Sequence, residues 1–188
     1  MQRTPKSPFM VFSLEGREKH PMTIARFVLA GLAGIALGTP VLGDDASIQE
    51  LLDRAEIEAL VARYVTALDT RDADAYAGVF AEDAVFELPG AVHRGRAEIR
   101  KIVTDLQESR ARNEAAGKPS PNLYHVMSNT SIEILDATHA RHQSYAQTVR
   151  AAENGQFIVG FMGRYEDDLV KRDGRWLIQS RKLVSFVP

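Results

Sequence analysis

Residues 156–186 read QFIVGFMGRYEDDLVKRDGRWLIQSRKLVSF, two extended segments joined at Asp173-Gly174. Asp-Gly is a strong signal for a two-residue β-hairpin, because both turn positions favour positive φ. A second signal of this kind, Asn154-Gly155, precedes the stretch, and a polar turn around residues 136–138 precedes that one. These turns divide the chain after Asn122 into four strands. The sequence therefore predicts consecutive antiparallel hairpins in the C-terminal half.

Helical periodicity characterises the first segment of the N-terminal half. Ser47 and Glu50 have the spacing of a capping box. Behind them, one apolar stripe recurs every three or four residues and predicts a helix that ends near Asp69: Ile57, Leu60, Val61, Tyr64, Val65 and Leu68.

The rest of the N-terminal half is predicted to contain three further elements. They are a second helix with Tyr76, Val79 and Phe80 on its buried side, a strand at residues 84–88 closed by Pro89-Gly90, and a third helix at about residues 96–113. The predicted order is α-α-β-α-β-β-β-β. Three N-terminal helices packed on a curved, mainly antiparallel sheet form an α+β fold. Such an arrangement encloses a conical pocket.

The composition limits the possible functions. The chain has 188 residues, of which 45% are hydrophobic and 26% charged, as in ordinary globular proteins. It has no cysteine, which excludes disulfides and thiolate metal sites. Residues 44–188 carry 18 basic and 23 acidic side chains, a net charge of −5, without a basic cluster. A nucleic-acid partner is therefore disfavoured.

The N-terminus has the pattern of an export signal. Twelve apolar or small residues, Phe27–Gly38, follow a basic residue, and small residues suit cleavage after Gly43. We predict that residues 1–43 are a signal peptide, with translation starting at Met22. The mature domain, residues 44–188, is predicted to be periplasmic or secreted, with no membrane partner after cleavage. A membrane anchor is the alternative, but the apolar stretch is shorter than the roughly 20 residues that a span requires.

Two residues could form a general base. Asp69 lies in the last turn of the first helix, on the shoulder of its apolar stripe, and His125 lies early in the first of the four C-terminal strands. Strand alternation places His125 on the same face as Asn129 and opposite Ile132 and Ile134. Each candidate has an ordinary structural alternative. Asp69 could be a solvent-facing helix end, and His125 could be a hydrogen-bonded core residue.

Arg181 and Tyr64 could assist such a base. Arg181 alternates with Leu177 and Leu183, so it points to an apolar face, where a lone guanidinium is costly without an anion. Tyr64 could donate a hydrogen bond into the same space.

The remaining histidines do not suggest a metal site. His139 and His142 follow a turn on a predicted edge segment, so we expect both to be solvated. No pair of histidines has characteristic ligand spacing, and zinc catalysis requires three protein ligands. We predict neither a metal nor a cofactor.

Several motifs follow one another in the order of a known family. They are Tyr64-x4-Asp69, Phe80-x2-Asp83-x-Val85, Gly95-Arg-x-Glu98-Ile99, His125-x3-Asn129, Arg164-Tyr165-Glu166-Asp167 and Asp173-Gly174-Arg175-Trp176-x4-Arg181. Together, over residues 47–187, the chain resembles the SnoaL-like domain family, whose relatives include scytalone dehydratase, bile-acid 7α-dehydratase and lindane dehydrochlorinase. The resemblance implies a cone-shaped α+β barrel, in agreement with the predicted order of elements.

The resemblance also implies roles for the candidate residues. In the lyase branch of the family, an Asp on the first helix and a His on the following long strand form the proton-abstracting dyad, and these match Asp69 and His125. Arg181 and Tyr64 match residues that assist the dyad. The family commonly pairs through the outer face of its sheet. We predict a homodimer here, because one face of the last strand carries much apolar surface: Trp176, Ile178, Val184 and Phe186.

The sequence therefore predicts a cofactor-free lyase that acts by dehydratase-like 1,2-elimination, or an isomerase with the same base. His125, oriented by Asp69, abstracts a proton. Arg181 and Tyr64 stabilise the developing charge. The predicted substrate is small to steroid-sized and mainly apolar. The alternative is a non-catalytic ligand-binding or assembly domain of the same fold.

Overall fold

The computed structural model describes residues 45–152 and 154–186. The helices are α1 (Asp45–Thr70), α2 (Ala73–Gly78) and α3 (Gly95–Ala115). The strands are β1 (Phe80–Leu88), β2 (Ala91–Arg94), β3 (Tyr124–Ile134), β4 (His139–Ala151), β5 (Phe157–Arg172) and β6 (Arg175–Ser185). The predicted signal peptide, residues 1–43, lies outside the described residues. Within the described part of the chain, no helix is long and apolar enough to cross a membrane.

The six strands form one sheet in the order β2-β1-β6-β5-β4-β3. The four C-terminal strands pair antiparallel, as predicted. Asp173 and Gly174, at the turn between β5 and β6, have φ of 50° and 75°. β1 pairs antiparallel with β2 but parallel with β6. Helices packed on a mainly antiparallel sheet confirm the predicted α+β fold.

The predicted order of elements omitted β2, and that part of the prediction is wrong. Pro89-Gly90 does not close an isolated strand but forms the turn of a hairpin in which Leu88 pairs with Ala91. Gly90 supplies the left-handed conformation of this turn, with φ of 83°. β2 has four residues, none of them fully buried, so hydrophobic alternation could not reveal it.

The boundary between α2 and β1 also differs from the prediction. Phe80 was expected on the buried side of the second helix, but α2 ends at Gly78 and Phe80 begins β1, opposite Ile178. The ring of Phe80 is completely buried in β1. The buried side of a helix would also bury an apolar residue, so hydrophobicity at this position does not distinguish helix from strand.

The end of α1 is defined by its backbone. Arg71 adopts a left-handed conformation, with φ of 57°. Its N–H donates to the carbonyl of Leu68, and the N–H of Asp72 donates to the carbonyl of Ala67. These bonds terminate the helix and leave Asp69 in its last turn. At the other end, α1 already includes Asp45, so Ser47 lies inside the helix rather than at its cap.

The core lies between the helices and the inner face of the sheet. Five aromatic rings form a connected cluster with centroid separations from 5.2 to 6.3 Å: Tyr64, Tyr76, Phe80, Phe86 and Tyr165. Aromatic pairs at such distances contribute beyond their buried area. The cluster joins α1, α2, β1 and β5 at the point where the candidate site is located.

A β-bulge in β6 changes which side chains face the core. Ile178 pairs with Leu169, whereas Ser180 pairs with Asp168, so Gln179 is an extra residue. Trp176 and Ile178 are completely buried and share the inner face with Arg181. The prediction that Trp176 and Ile178 belong to an apolar outer face is therefore wrong. Simple alternation does not continue through an inserted residue.

A second bulge lies in β3. The register shifts between Ser128 and Ser131, and Asn129 has φ of 51°. The bulge brings Ile132 to the same side as His125, although alternation predicted opposite sides. Asn129, expected on the face of His125, is exposed.

A buried carboxylate ties α1 to the hairpin of β5 and β6. Asp53 is 3% exposed. Its Oδ1 accepts hydrogen bonds from Lys171 Nζ at 2.6 Å and from Trp176 Nε1 at 3.0 Å. Burial alone would raise the pKa of Asp53, but the bonds from Lys171 and Trp176 outweigh burial and lower it.

Candidate active site

Asp69, in the last turn of α1, and His125, near the start of β3, form a side-chain pair. Oδ1 of Asp69 lies 2.6 Å from Nδ1 of His125. The backbone N–H of His125 also donates to Asp69, at 3.1 Å to Oδ1 and 3.3 Å to Oδ2. The two side chains are 19% and 17% exposed, respectively. The structure thus brings together the two residues that the sequence predicted as a dyad.

The position of Asp69 selects one tautomer of His125. A carboxylate accepts hydrogen bonds, so Nδ1 carries the proton that is donated to Asp69. In the neutral imidazole, Nε2 then has the free lone pair. A histidine held in this way can accept a proton from a bound ligand.

His125 lines a cavity of about 220 Å³ between the helices and the inner face of the sheet. Most of the lining is apolar or aromatic: Leu68, Tyr76, Phe86, Leu88, Ile102, Leu106, Ala146, Phe161 and Leu183. The polar lining consists of Tyr64, His125, Gln147, Thr148 and Tyr165. An apolar cavity with a few polar groups is the usual form of a small-molecule site.

Two tyrosines form a hydroxyl pair in the cavity wall. The hydroxyl oxygens of Tyr64 and Tyr165 lie 3.1 Å apart. Burial, followed by the influence of Tyr64, raises the pKa of Tyr165 well above its usual value, so its phenol stays protonated. One hydroxyl donates to the other, so this contact uses one of the two phenol protons.

Tyr64 was predicted at the site, but Tyr165 was not. Tyr165 belongs to the motif Arg164-Tyr165-Glu166-Asp167, which resembles the family but does not by itself assign Tyr165 a role. Tyr165 alternates with Asp167 and Leu169 on the inner face of β5, and this pattern could have indicated that its side chain points into the core.

Arg181 points inward, as predicted, but the structure does not place it in the cavity wall. Its Nε and Nη2 donate to Oδ1 and Oδ2 of Asp167 at 2.7 and 2.6 Å. Its guanidinium carbon lies 4.0 Å from the ring centroid of Tyr64 and 4.3 Å from that of Tyr165. The anion that the sequence argument required is therefore a carboxylate of the protein itself. The expectation that Arg181 contacts a substrate does not agree with this geometry.

The Arg181–Asp167 pair remains ionised in the core. Burial alone would raise the pKa of Asp167, but the guanidinium of Arg181 outweighs burial and lowers it. The pKa of Arg181 is raised, because the attraction of Asp167 exceeds the effect of burial.

A second histidine–carboxylate pair adjoins this ion pair. Nδ1 of His142 lies 2.7 Å from Oδ2 of Asp167, and the His142 side chain is completely buried. The expectation that His142 is solvated is wrong, because β4 lies between β3 and β5 and is not an edge strand. His139, by contrast, is exposed, as predicted.

The segment before β3 is tied to two helices. Oδ1 of Asn122 accepts hydrogen bonds from Nη1 of Arg110 at 2.7 Å and from Nη1 of Arg71 at 3.4 Å. Gln107 donates to the carbonyl of Arg71 at 2.7 Å. These contacts link the end of α1, the middle of α3 and the start of β3. They therefore fix the two segments that carry Asp69 and His125.

A larger depression of about 540 Å³ lies on the outer face of the sheet. Charged residues such as Glu87, Glu133 and Lys182 line it, and it contains neither Asp69 nor His125. We therefore place the candidate active site in the smaller cavity. Within residues 45–152 and 154–186, no group of three or more His, Cys, Asp or Glu side chains could hold a metal ion.

The family model described as the SnoaL-like domain matches residues 49–182. The chain belongs to the SnoaL-like domain family. The comparison with curated protein sequences gave no match.

The solved structures similar to this SnoaL-like protein share its fold. A Mycobacterium tuberculosis protein of unknown function, Rv3472, is 29% identical, with a TM-score of 0.63 over 74% of this chain and 75% of its own. An NTF2-like protein with a cystatin-like fold from Novosphingobium aromaticivorans is 24% identical, with a TM-score of 0.65 over 78% of this chain and 92% of its own. A protein from the same organism, provisionally named a scytalone dehydratase, is 23% identical, with a TM-score of 0.60 over 75% and 89%.

Proposed function

We propose that the protein is a cofactor-free lyase or isomerase in which His125 is the general base and Asp69 orients it. The observation that carries the proposal is the 2.6 Å contact between Asp69 Oδ1 and His125 Nδ1 at the wall of an apolar cavity. This contact leaves Nε2 available for a ligand in that cavity. General bases of this type accelerate reactions by roughly 10²–10⁴-fold.

The proposed reaction begins with a carbonyl compound that has a leaving group on its β-carbon. Nε2 of His125 takes a proton from the α-carbon, and the electron pair of the C–H bond passes through an enolate into a new C=C bond. The C–O bond at the β-carbon breaks, and the departing hydroxide takes the proton from His125 and leaves as water. In the isomerase variant, His125 returns the proton to a different carbon.

Tyr64 and Tyr165 would stabilise the enolate. Their hydroxyl pair would donate a hydrogen bond toward the cavity, and preorganised donors are most effective where charge develops in a dry site. We assign Arg181 a positioning role, because its contacts are the two tyrosine rings and Asp167.

The cavity constrains the substrate. Its volume of about 220 Å³ lies below the roughly 300–1,000 Å³ typical of sites for drug-sized ligands. No Lys, Arg, Asp or Glu side chain belongs to its described lining. We therefore propose a neutral, mainly apolar molecule of one or two rings, which narrows the predicted range and disfavours steroids.

The proposal can be tested with two compounds. Elimination from 3-hydroxy-1-tetralone releases water and gives 1-naphthol, which is detected by fluorescence. Incorporation of deuterium at the α-carbon of 1-tetralone in D₂O, followed by mass spectrometry, reports proton abstraction without elimination. We expect both reactions with the wild type and strongly reduced rates with His125→Ala.

His139→Ala is a matched control, since His139 is also paired with a carboxylate, that of Asp136, but on the surface. This variant should retain the wild-type rates. If both compounds bind, as measured by saturation-transfer NMR, and neither reacts, the non-catalytic ligand-binding domain is favoured instead.

Export and dimerisation are further parts of the proposal. The apolar stretch in the N-terminal sequence supports cleavage after Gly43 and a periplasmic or secreted location. Exposed apolar side chains on β3, on β5 and just after β6 support a homodimer: Tyr124, Val126, Val159, Met162 and Phe186. Of the four residues that suggested the dimer in the sequence, only Phe186 is among them.

A further inference from the structure

Three buried polar atoms in the core have no hydrogen-bond partner among the described residues. They are Nε2 of His142, Oγ of Ser144 and Nη1 of Arg181. The three residues are 2%, 0% and 1% exposed. Buried polar groups in native proteins almost always have a partner, which can be protein or ordered water. Three such atoms in neighbouring residues therefore require an explanation.

The three residues occupy adjacent positions on the inner face of the sheet. His142 in β4 is opposite Asp167 in β5, and Asp167 is opposite Arg181 in β6. Ser144 lies two residues after His142 on the same face and is opposite Tyr165. We call His142, Ser144, Asp167 and Arg181 the buried polar row. The row does not include Asp69 or His125.

The buried polar row contains both hydrogen-bond donors and acceptors that lack a partner among the described residues. The carboxylate of Asp167 is satisfied by Arg181 and His142. Because Nδ1 of His142 donates to this carboxylate, Nε2 of the neutral imidazole is an acceptor that needs a donor. Nη1 of Arg181 is a donor that needs an acceptor, and the hydroxyl of Ser144 can act in both ways.

We infer that the buried polar row binds one or more internal water molecules. Water fits because it both donates and accepts, so it can satisfy a histidine acceptor, a guanidinium donor or a hydroxyl. An anion fits less well, because the charges of Arg181 and Asp167 cancel and an anion cannot donate to Nε2 of His142. The inference does not depend on the proposed catalysis.

A crystal structure of the protein as purified tests the inference directly. We expect water peaks such that at least two of the three atoms have a water within hydrogen-bond distance, about 2.7–3.2 Å. A crystal soaked in sodium bromide should show no anomalous peak there. An empty map around all three atoms, or bromide bound to Arg181 Nη1, would overturn the inference.

A solution measurement examines the same site without a crystal. Long-range ¹H–¹⁵N NMR spectra distinguish the two tautomers of histidine, and we expect His142 to be the Nδ1–H form. The exposed His139 gives the reference for a histidine in contact with solvent. A proton found on Nε2 of His142 would remove the acceptor on which the inference rests and would contradict it.

Discussion

The carboxylate of Asp69 holds His125 at two points, the backbone N–H and Nδ1 of the ring, although the residues are 56 positions apart in the sequence. The end of a helix and the start of a strand are thereby fixed relative to each other by one side chain. The same contact orients the imidazole within its strand and determines which nitrogen remains free. The carboxylate of Asp69 therefore both anchors the start of β3 and selects the tautomer of His125.

Replacement of Asp69 by Asn should lower the rate of 1-naphthol formation from 3-hydroxy-1-tetralone by about 10²-fold or more. The amide can donate to Nδ1 and so favours the wrong tautomer of His125. His125→Ala should cause a similar loss, and the double variant should lose little more than the worse single variant. Asp136→Asn, at the exposed pair with His139, is the control. Additive losses in the double variant would show that the two residues do not act as a unit.

Arg181→Met should destabilise the protein by about 3–5 kcal/mol, because it leaves the carboxylate of Asp167 buried without its cation. The double variant Arg181→Met with Asp167→Leu should recover part of this loss. Urea denaturation gives the free energy of unfolding. Arg172→Met, which breaks an exposed ion pair with Asp83, should cost less than about 1 kcal/mol. Undiminished stability together with lost activity would instead support direct contact of Arg181 with the substrate.

Asp53 should make the protein less stable in acid. Its pKa is lowered in the folded state, so its contribution is fully present above the unfolded pKa of about 3.9 and is lost as the pH falls through the folded value. The free energy of unfolding should therefore fall less steeply below about pH 4 in Asp53→Asn than in the wild type. Asp105→Asn, whose carboxylate is 57% exposed, is the control. Identical pH profiles for Asp53→Asn and the wild type would contradict the prediction.

A charge introduced into the exposed apolar patch should prevent dimerisation. Val126 in β3 and Met162 in β5 are 45% and 38% exposed. Both pair with Gln147 of β4, which lies between the two strands. In sedimentation equilibrium, the wild type should have the mass of a dimer, and the double variant Val126→Lys with Met162→Lys should have that of a monomer. Ala59→Lys, on the exposed side of α1, should remain dimeric. A monomeric wild type would disprove the homodimer.

The mature protein should begin at Asp44. N-terminal sequencing of the periplasmic or culture fraction measures this directly. An uncleaved protein confined to the cytosol would contradict the predicted signal peptide.

The dyad could be predicted because local signals locate each member. The predicted end of the first helix locates Asp69, and the predicted start of a strand locates His125. The family resemblance then indicates that the two residues form a pair. The partner of Arg181 was harder to predict, because an ideal hairpin turning at Asp173-Gly174 would place Asp167 opposite Ser180. The bulge at Gln179 moves that partnership to Arg181. A single inserted residue carries little signal in the sequence.

The burial of His142 depended on long-range order. Whether β4 is an edge or an interior strand depends on β3 and β5 together, and hairpin signals alone do not fix this. The parallel pairing of β1 with β6 is likewise invisible locally, since it joins strands from the two ends of the domain.

That parallel pairing has a consequence for the timing of folding. Of the six strands of this sheet, β6 is the last to be synthesised, and it is also the strand that connects the hairpin of β1 and β2 to the other strands. The sheet therefore cannot be completed until Ser185 has left the ribosome. Contacts between such distant segments form slowly. Until then, the hairpin of β1 and β2 has no strand outside itself to pair with among the six of the sheet.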